Sequence, residues 1–202
     1  MFQPWFVELI SILSNACVGL SALTVAIIGI IGLRQWRAEL KGKTKFEIAR
    51  KMALLLFQYR DEYKRARNPF TFLGESAERK KDDAETQGEV QLLDEYYARR
   101  NRLVPLQETL RKLYEVSWEA EVVLDKEIGK FIQPIEDSFK ELFTSIEAYF
   151  QTQYNQLKRG GGPEEEWLKP HYKRIYGIDD ESSEAIDNST NALVEKLKVY
   201  LE

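Results

Sequence analysis

LISILSNACVGLSALTVAIIGIIGL, residues 9–33, runs 25 positions without a charged side chain. At 1.5 Å rise per residue a helix of that length reaches roughly 37 Å, enough to cross a hydrocarbon core about 30 Å thick with some tilt. Two other readings compete. A cleaved signal peptide would carry a positive leader, but MFQPWF has none, and the run exceeds the ~7–15 residues of a signal core. A helix buried inside a soluble core is the other alternative. The run reads best as a transmembrane helix.

Outward from this stretch the charge is uneven. No Lys or Arg precedes it, whereas Arg34, Arg37, Lys41, Lys43, Lys45, Arg50 and Lys51 follow closely. Residues 34–67 hold eleven Lys/Arg against four Asp/Glu, and the remainder of the chain to Glu202 is acidic. By the positive-inside rule this bias places the N-terminus outside and the body in the cytoplasm. Arg34, Trp36, Arg37, Lys41, Lys43 and Lys45 are then the expected contacts with lipid headgroups, with attraction to anionic lipid for the cations. The lone cysteine, Cys17, lies within the span, so no intramolecular disulfide is available. Asn188 heads an NST sequon that this topology keeps from the glycosylation machinery.

Within the span, Glu8, Asn15, Ala22 and Gly29 are spaced by seven, and Gly19 and Ala26 lie on the adjoining row. Small residues let helices approach closely in lipid, and an intramembrane Asn seeks a partner. The stripe Glu8, Asn15, Gly19, Ala22, Ala26 and Gly29 is therefore the expected surface for helix association, or the lining of a lumen.

The rest reads as all-α: an N-terminal transmembrane helix and juxtamembrane basic segment over 1–42, then a cytoplasmic antiparallel helical bundle over 43–202. Residues 43–67 repeat apolar positions at three and four (Ile48, Met52, Leu55, Leu56, Tyr59, Tyr63, Ala66), and Asn68-Pro69 stops them. Residues 69–88 read as an exposed loop, its basic triplet Arg79–Lys81 cancelled by Asp82 and Asp83. Residues 90–126 form a second helix whose apolar face includes Trp118 and Val122, with Pro105 set to kink it. Residues 131–158 form a third, with Pro134 in its first turn and RGGGP at 159–163 ending it. A second exposed loop, 159–182, carries Trp167, Tyr172, Tyr176 and Ile178. A last helix begins near DESSE, capped by Ser182 or Ser183.

The chemistry-bearing residues are few. One histidine, His171, and one cysteine in the span assemble neither a zinc site nor a Cys-His or Ser-His nucleophile pair. RGGGPEEE lacks the Lys-Ser/Thr of a phosphate loop. Glu115 and Glu119, four apart and near Glu121 and Asp125, could hold a cation, but a salt-bridged helix face is the simpler reading. No enzyme activity, cofactor or metal is expected, and nucleic acid is not an expected partner. The expected partners are the lipid bilayer, further copies of the chain as a homo-oligomer, and an unidentified soluble protein as a further candidate.

The run LKGKTKFEIARKMALLLFQYRDEYKRARNPF, with EAEVVLDKEIGK and RIYGIDD later, resembles a family of uncharacterised bacterial single-pass inner-membrane proteins. That resemblance implies a bacterial inner-membrane location and specifies no reaction. In layout alone the chain is similar to the pore-forming, HEPN-like accessory proteins of RNA-guided antiphage systems. This second likeness implies oligomeric assembly, and with it an ion channel or another membrane-perturbing role in antiviral defence. It does not extend to ribonuclease activity, because no arginine stands four to six residues before His171.

Overall fold

A computed structural model of the chain describes residues 4–72, 74–160, 165–177 and 181–201, with side chains from Ile12 onward except those of residues 16 and 165. Five helices occur in these residues, α1 (Pro4–Ala66), α2 (Gln87–Val123), α3 (Gly129–Arg159), α4 (Glu165–Tyr176) and α5 (Glu181–Lys198), and no strand accompanies them. The chain divides into two compact units, Met1–Thr44 and Lys45–Glu202.

In the first unit every described side chain from Ile12 to Leu33 is exposed. Ser21 and Thr24 donate to the carbonyls of Cys17 and Leu20, four residues back, at 2.8 and 2.9 Å. Their hydroxyls thus add no unsatisfied polar group to an otherwise apolar surface.

The second unit is a four-helix bundle whose directions follow from which residues meet. On α1, Gln58 donates to Thr109 of α2, and the Asn68 carbonyl accepts from Arg99 and Arg102, so α1 and α2 are antiparallel. Tyr96 meets Glu147 and Tyr114 meets Glu136, which sets α2 against α3 in the same sense. Ser182 meets Glu141 and Lys196 lies over Phe131, reversing α5 relative to α3. Arg60 pairs with Asp187, and Lys45 lies over Tyr200, which closes α5 back onto α1. The order is up-down-up-down, the arrangement short connections favour.

The core consists of the apolar stripes. All seven positions named on α1 from Ile48 to Ala66 are buried, with Met52, Leu56 and Tyr59 fully so. Leu106, Leu113 and Ala120 of α2, Ile135 and Leu142 of α3, and Leu193 and Leu197 of α5 complete it. Tyr59 donates to the Ile135 carbonyl at 3.1 Å, so its buried hydroxyl is satisfied, and burial pushes its pKa well up.

Several local expectations change. α2 starts at Gln87, ahead of Val90, because Thr86 and Glu89 form a capping box in which each side chain accepts from the other's backbone N–H. α3 starts at Gly129, so Pro134 falls beyond the first turn, where its ring removes one intrahelical bond. Gly160 ends α3 in the left-handed region at φ 68°, as the glycine run implied. The stretch expected as an exposed loop over 159–182 contains α4, which buries Leu168 and Ile175. Ile178 lies outside the described residues. Ser182 and Ser183 sit within α5 instead of capping it: Ser182 donates to Glu141, and Ser183 accepts from Arg67.

The loop over 69–88 is fastened to α2 by charges that the sequence pairs differently. Arg79 binds Glu85 through both terminal nitrogens at 2.8 and 2.9 Å and donates to Asp94 at 2.5 Å, while Lys81 pairs with the same Asp94 at 2.9 Å. Glu85 and Asp94, not Asp82 and Asp83, therefore hold the arginine. Both carboxyls lie below the usual range, Glu85 chiefly through its bond from Arg79 and Asp94 through Arg79 and Lys81 against the opposing effect of burial.

Candidate functional site

Three surfaces carry the features a function would use: the exposed apolar helix, an aromatic turn between α1 and α2, and a groove between α2 and α3.

The residues singled out from sequence in the first unit lie as follows. Asn15, Gly19, Ala22, Ala26 and Gly29 are exposed, and a methyl group added at Gly19 or Gly29 would meet nothing within 4 Å. At 100° per residue these five positions fall within about 80° of one another, so they form one continuous face. The side chain of Glu8 lies outside the described residues. Arg34, Trp36, Arg37, Lys41 and Lys43 are exposed, with Trp36 more than half accessible. Lys45 belongs to the bundle: it is half-buried, with its ammonium 5.8 Å from the centre of the Tyr200 ring.

At the C-terminal end of α1 the chain turns sharply through Asn68 to Phe72. Asn68 accepts from the Phe70 N–H at 3.0 Å, the side-chain turn that its residue type favours. Two arginines of α2 grip the main chain. Arg99, fully buried, donates to the carbonyls of Asn68 and Pro69 at 2.6 and 3.1 Å, and Arg102 donates to those of Asn68 and Phe70 at 2.7 and 2.6 Å. Arg102 also pairs with Glu75 at 2.7 Å. Arg99 lies 4.6 Å from the Tyr176 ring centre and 3.5 Å from Glu95. Burial draws its pKa down, and the same burial, followed by the bond to Glu95, pushes the Tyr176 phenol up. With the backbone held this way, Phe70 and Phe72 point outward, 72% and 63% exposed.

On the other flank of α2, Trp118 and Val122 are 64% and 86% exposed, although the apolar spacing predicts both on the helix's apolar face. Leu113, Val116 and Ala120 take that inner face. Trp118 and Val122, four apart, form a second stripe that no other described helix covers. With Tyr114, Arg111 and Phe139, Trp118 borders an open groove of about 610 Å³ between α2 and α3. Its charges are matched internally: Arg111 pairs with Glu115 at 2.5 Å, Lys140 pairs with Glu136 at 2.6 Å, and Tyr114 donates to Glu136. Lys140 and then Tyr114 hold the Glu136 carboxyl below its usual range, while burial and then Glu136 push the Tyr114 phenol up.

Two of the four carboxylates singled out on α2 and just beyond it are held in ion pairs. Glu115 takes Arg111, and Asp125 takes Lys196 at 2.7 Å. Among the described residues no three His, Cys, Asp or Glu side chains converge as metal ligands would. His171, the one imidazole, lies against Trp167 with ring centres 4.7 Å apart and planes tilted by 56°, and its Nδ1 lies 3.3 Å from the Ser145 hydroxyl. That Ser-His contact went unseen in the sequence because 26 residues separate the two. Ser145 is 1% exposed on the core side of α3, so no substrate reaches its hydroxyl. Burial, then the charge of Arg174, lowers the His171 pKa, which leaves the ring neutral at pH 7.

No protein-family model, no curated protein and no solved structure matches the chain.

Proposed function

We propose that the chain is a single-pass protein of the bacterial inner membrane, N-terminus outside and bundle in the cytoplasm, that acts without catalysis as a homo-oligomer perturbing or conducting across that membrane. The observation that carries the reading is the exposed apolar surface of α1: side chains such as Ile12, Leu20, Val25, Ile28 and Ile31 are each 55–70% accessible over a helix long enough to cross a bilayer. Contiguous apolar surface on that scale is driven out of water, and burying it in lipid removes the penalty. The cations from Arg34 to Lys43 supply orientation. The stripe from Asn15 to Gly29 supplies a face on which copies associate, because small residues let backbones approach and the Asn amide then finds a partner in apolar surroundings.

A bilayer experiment tests the reading. In oriented liposomes or cells, a thiol-reactive, membrane-impermeant probe should label a cysteine placed at Phe2 from outside and one placed at Glu78 only from the cytoplasmic side. Light scattering of detergent-solubilised protein should give a multiple of the 23.6 kDa chain, and Asn15→Leu with Gly29→Leu should shift it towards monomer. A monomeric wild type that those substitutions leave unchanged refutes association. Liposomes holding wild type that release no trapped ion refute conduction while leaving assembly intact.

The second reading, a membrane-tethered adaptor that recruits a soluble partner, draws on the open groove beside Trp118. Pull-down with wild type and with Trp118→Ser separates it from the first: a partner lost with the tryptophan, from a protein that stays monomeric, favours the adaptor.

A further inference from the structure

Residues 34–43 follow the apolar stretch of α1 and hold two large apolar side chains, Trp36 and Leu40, among charged, polar and small ones. Both are exposed, as is Leu33 at the end of the apolar stretch. Lipid accounts for Leu33 and for a tryptophan at headgroup depth. It does not account for Leu40, which stands about 10.5 Å beyond Leu33 along the helix, past an interfacial layer about 5–8 Å thick. The steps from Leu33 to Trp36 to Leu40, three residues and then four, continue those of Asn15, Gly19, Ala22, Ala26 and Gly29 without a break. At 100° per residue Leu33, Trp36 and Leu40 fall within about 60° of one another, so they form one narrow row.

Charge points to what covers the row. Arg37 lies about 80° to one side of the line midway between Trp36 and Leu40, and Glu39 lies about 80° to the other. Two residues apart, they do not face each other on one helix. Both are exposed, and neither forms an ion pair with any described residue, Lys43 included, whereas Arg79, Arg102, Arg111 and Lys196 of the bundle all do. Copies inserted in a bilayer the same way round stand parallel, with equal residues at equal depth. The row of one then meets the row of the next, and Arg37 of each falls on the same side of the contact as Glu39 of its neighbour. The match holds for a two-fold pair and for a ring alike, since every contact joins the cationic flank of one helix to the acidic flank of another. The row and its flanks are thus complementary to themselves, which an unrelated partner does not require.

We propose that Leu33, Trp36 and Leu40 pack in parallel against the same residues of a second copy, flanked by Arg37–Glu39 ion pairs between the copies. The proposal rests on the homo-oligomer reading above and deepens it: association continues from the bilayer, in one register, through the headgroups and into the cytoplasm. Contact positions alternating three and four apart with opposite charges beside them make a left-handed helix–helix seam, in which the flanking pairs set orientation and register. Three apolar side chains on each copy bury little surface, so the seam acts between helices that a shared membrane already holds at high local concentration. Trp36 then packs on the neighbouring helix at headgroup depth, and Arg34, about 140° from the row, is left to the lipid phosphates.

The test uses full-length protein in liposomes with Cys17→Ser as background, since Cys17 is a free, exposed thiol. Chains carrying Leu40→Cys and, on the opposite face of the helix, chains carrying Ala38→Cys are oxidised with copper–phenanthroline. Both residues are exposed, so neither change disturbs packing within the chain. Leu40→Cys should yield several-fold more disulfide-linked dimer than Ala38→Cys. On the Leu40→Cys chain, Arg37→Glu should lower the yield several-fold, and Arg37→Glu together with Glu39→Arg, which exchanges the two charges and keeps their sum, should restore it. Equal yields from Leu40→Cys and Ala38→Cys overturn the seam. A double exchange no better than the single one overturns the ion pairing between copies. Oligomer by light scattering without dimer from Leu40→Cys overturns the contact and leaves the homo-oligomer standing. Monomer throughout overturns both.

Discussion

Replacing Arg99 with methionine tests the physical account of the turn most directly. The side chain is fully buried, so its charge is held by local bonds and not by water. It gives two charged hydrogen bonds to main-chain carbonyls, each contributing about 1.5–3 kcal/mol net, and a desolvated cation–ring contact with Tyr176 of up to about 2 kcal/mol. Opposing these, removing a buried guanidinium recovers a desolvation penalty of several kcal/mol. The Asn68 carbonyl keeps Arg102 and the Glu95 carboxylate keeps the Tyr176 hydroxyl, so methionine leaves the Pro69 carbonyl without its donor and Glu95 without its cation. The balance is a destabilisation of about 3 kcal/mol, and for a bundle of this size a fall in Tm of roughly 6–12 °C. Arg99→Lys should also destabilise, because one ammonium cannot span two carbonyls as the planar fork does. Calorimetry of the full chain in detergent, with near-UV circular dichroism reporting bundle tyrosines and tryptophans, measures both variants. A methionine variant within about 0.5 kcal/mol of wild type would refute the claim that Arg99 holds the turn.

Other outcomes follow from the same structure. Leu56→Ala opens a cavity among fully buried side chains and should cost about 2–5 kcal/mol in the same melt, while Leu54→Ala, on the exposed side of the same helix, should stay within about 0.5 kcal/mol. Thr86→Ala deletes the capping box at the start of α2 and should cost about 1 kcal/mol by chemical denaturation; an unchanged midpoint would mean the cap is not formed in solution. The Glu89 carboxyl, bonded by Lys158 and then by Thr86, is held down at about 2 against an ordinary value near 4.5, so the stability it confers is complete above pH 4.5 and is lost as pH falls towards 2. Glu89→Gln should flatten the dependence of Tm on pH across that window, and an identical slope in the variant would show that another carboxylate governs it.

How much of this was legible depended on the range of the interactions involved. The 25-residue apolar run, the basic flank, the heptad stripe of small residues and the stripe from Ile48 to Ala66 are patterns of neighbours, and period and length are enough to read them. The Gly160 terminator is equally local, since a left-handed residue favours glycine wherever it occurs. Reading failed where a residue's role is set by a partner distant in sequence. Apolarity alone puts Trp118 and Val122 on the helix's apolar face, but α2 has more apolar residues than its neighbours cover. Adjacency alone pairs Arg79 with Asp82 and Asp83, yet Glu85 and Asp94 hold it once the loop folds back on α2. Arg99 gives no sign in the sequence of being a buried clamp for Asn68 and Pro69, 31 and 30 residues away.

The sequence by itself thus determined that the chain is helical, where the apolar span begins and ends, and which face of each segment is apolar, because these depend on spacing along the backbone. Tertiary structure decided the up-down-up-down order, the helix α4 within an expected loop, the partners of each charge, and the outward turn of Phe70, Phe72 and Trp118. Those outcomes are settled by competition for a limited amount of covering surface: four helices enclose one core, and the apolar residues it cannot take remain on opposite flanks of α2.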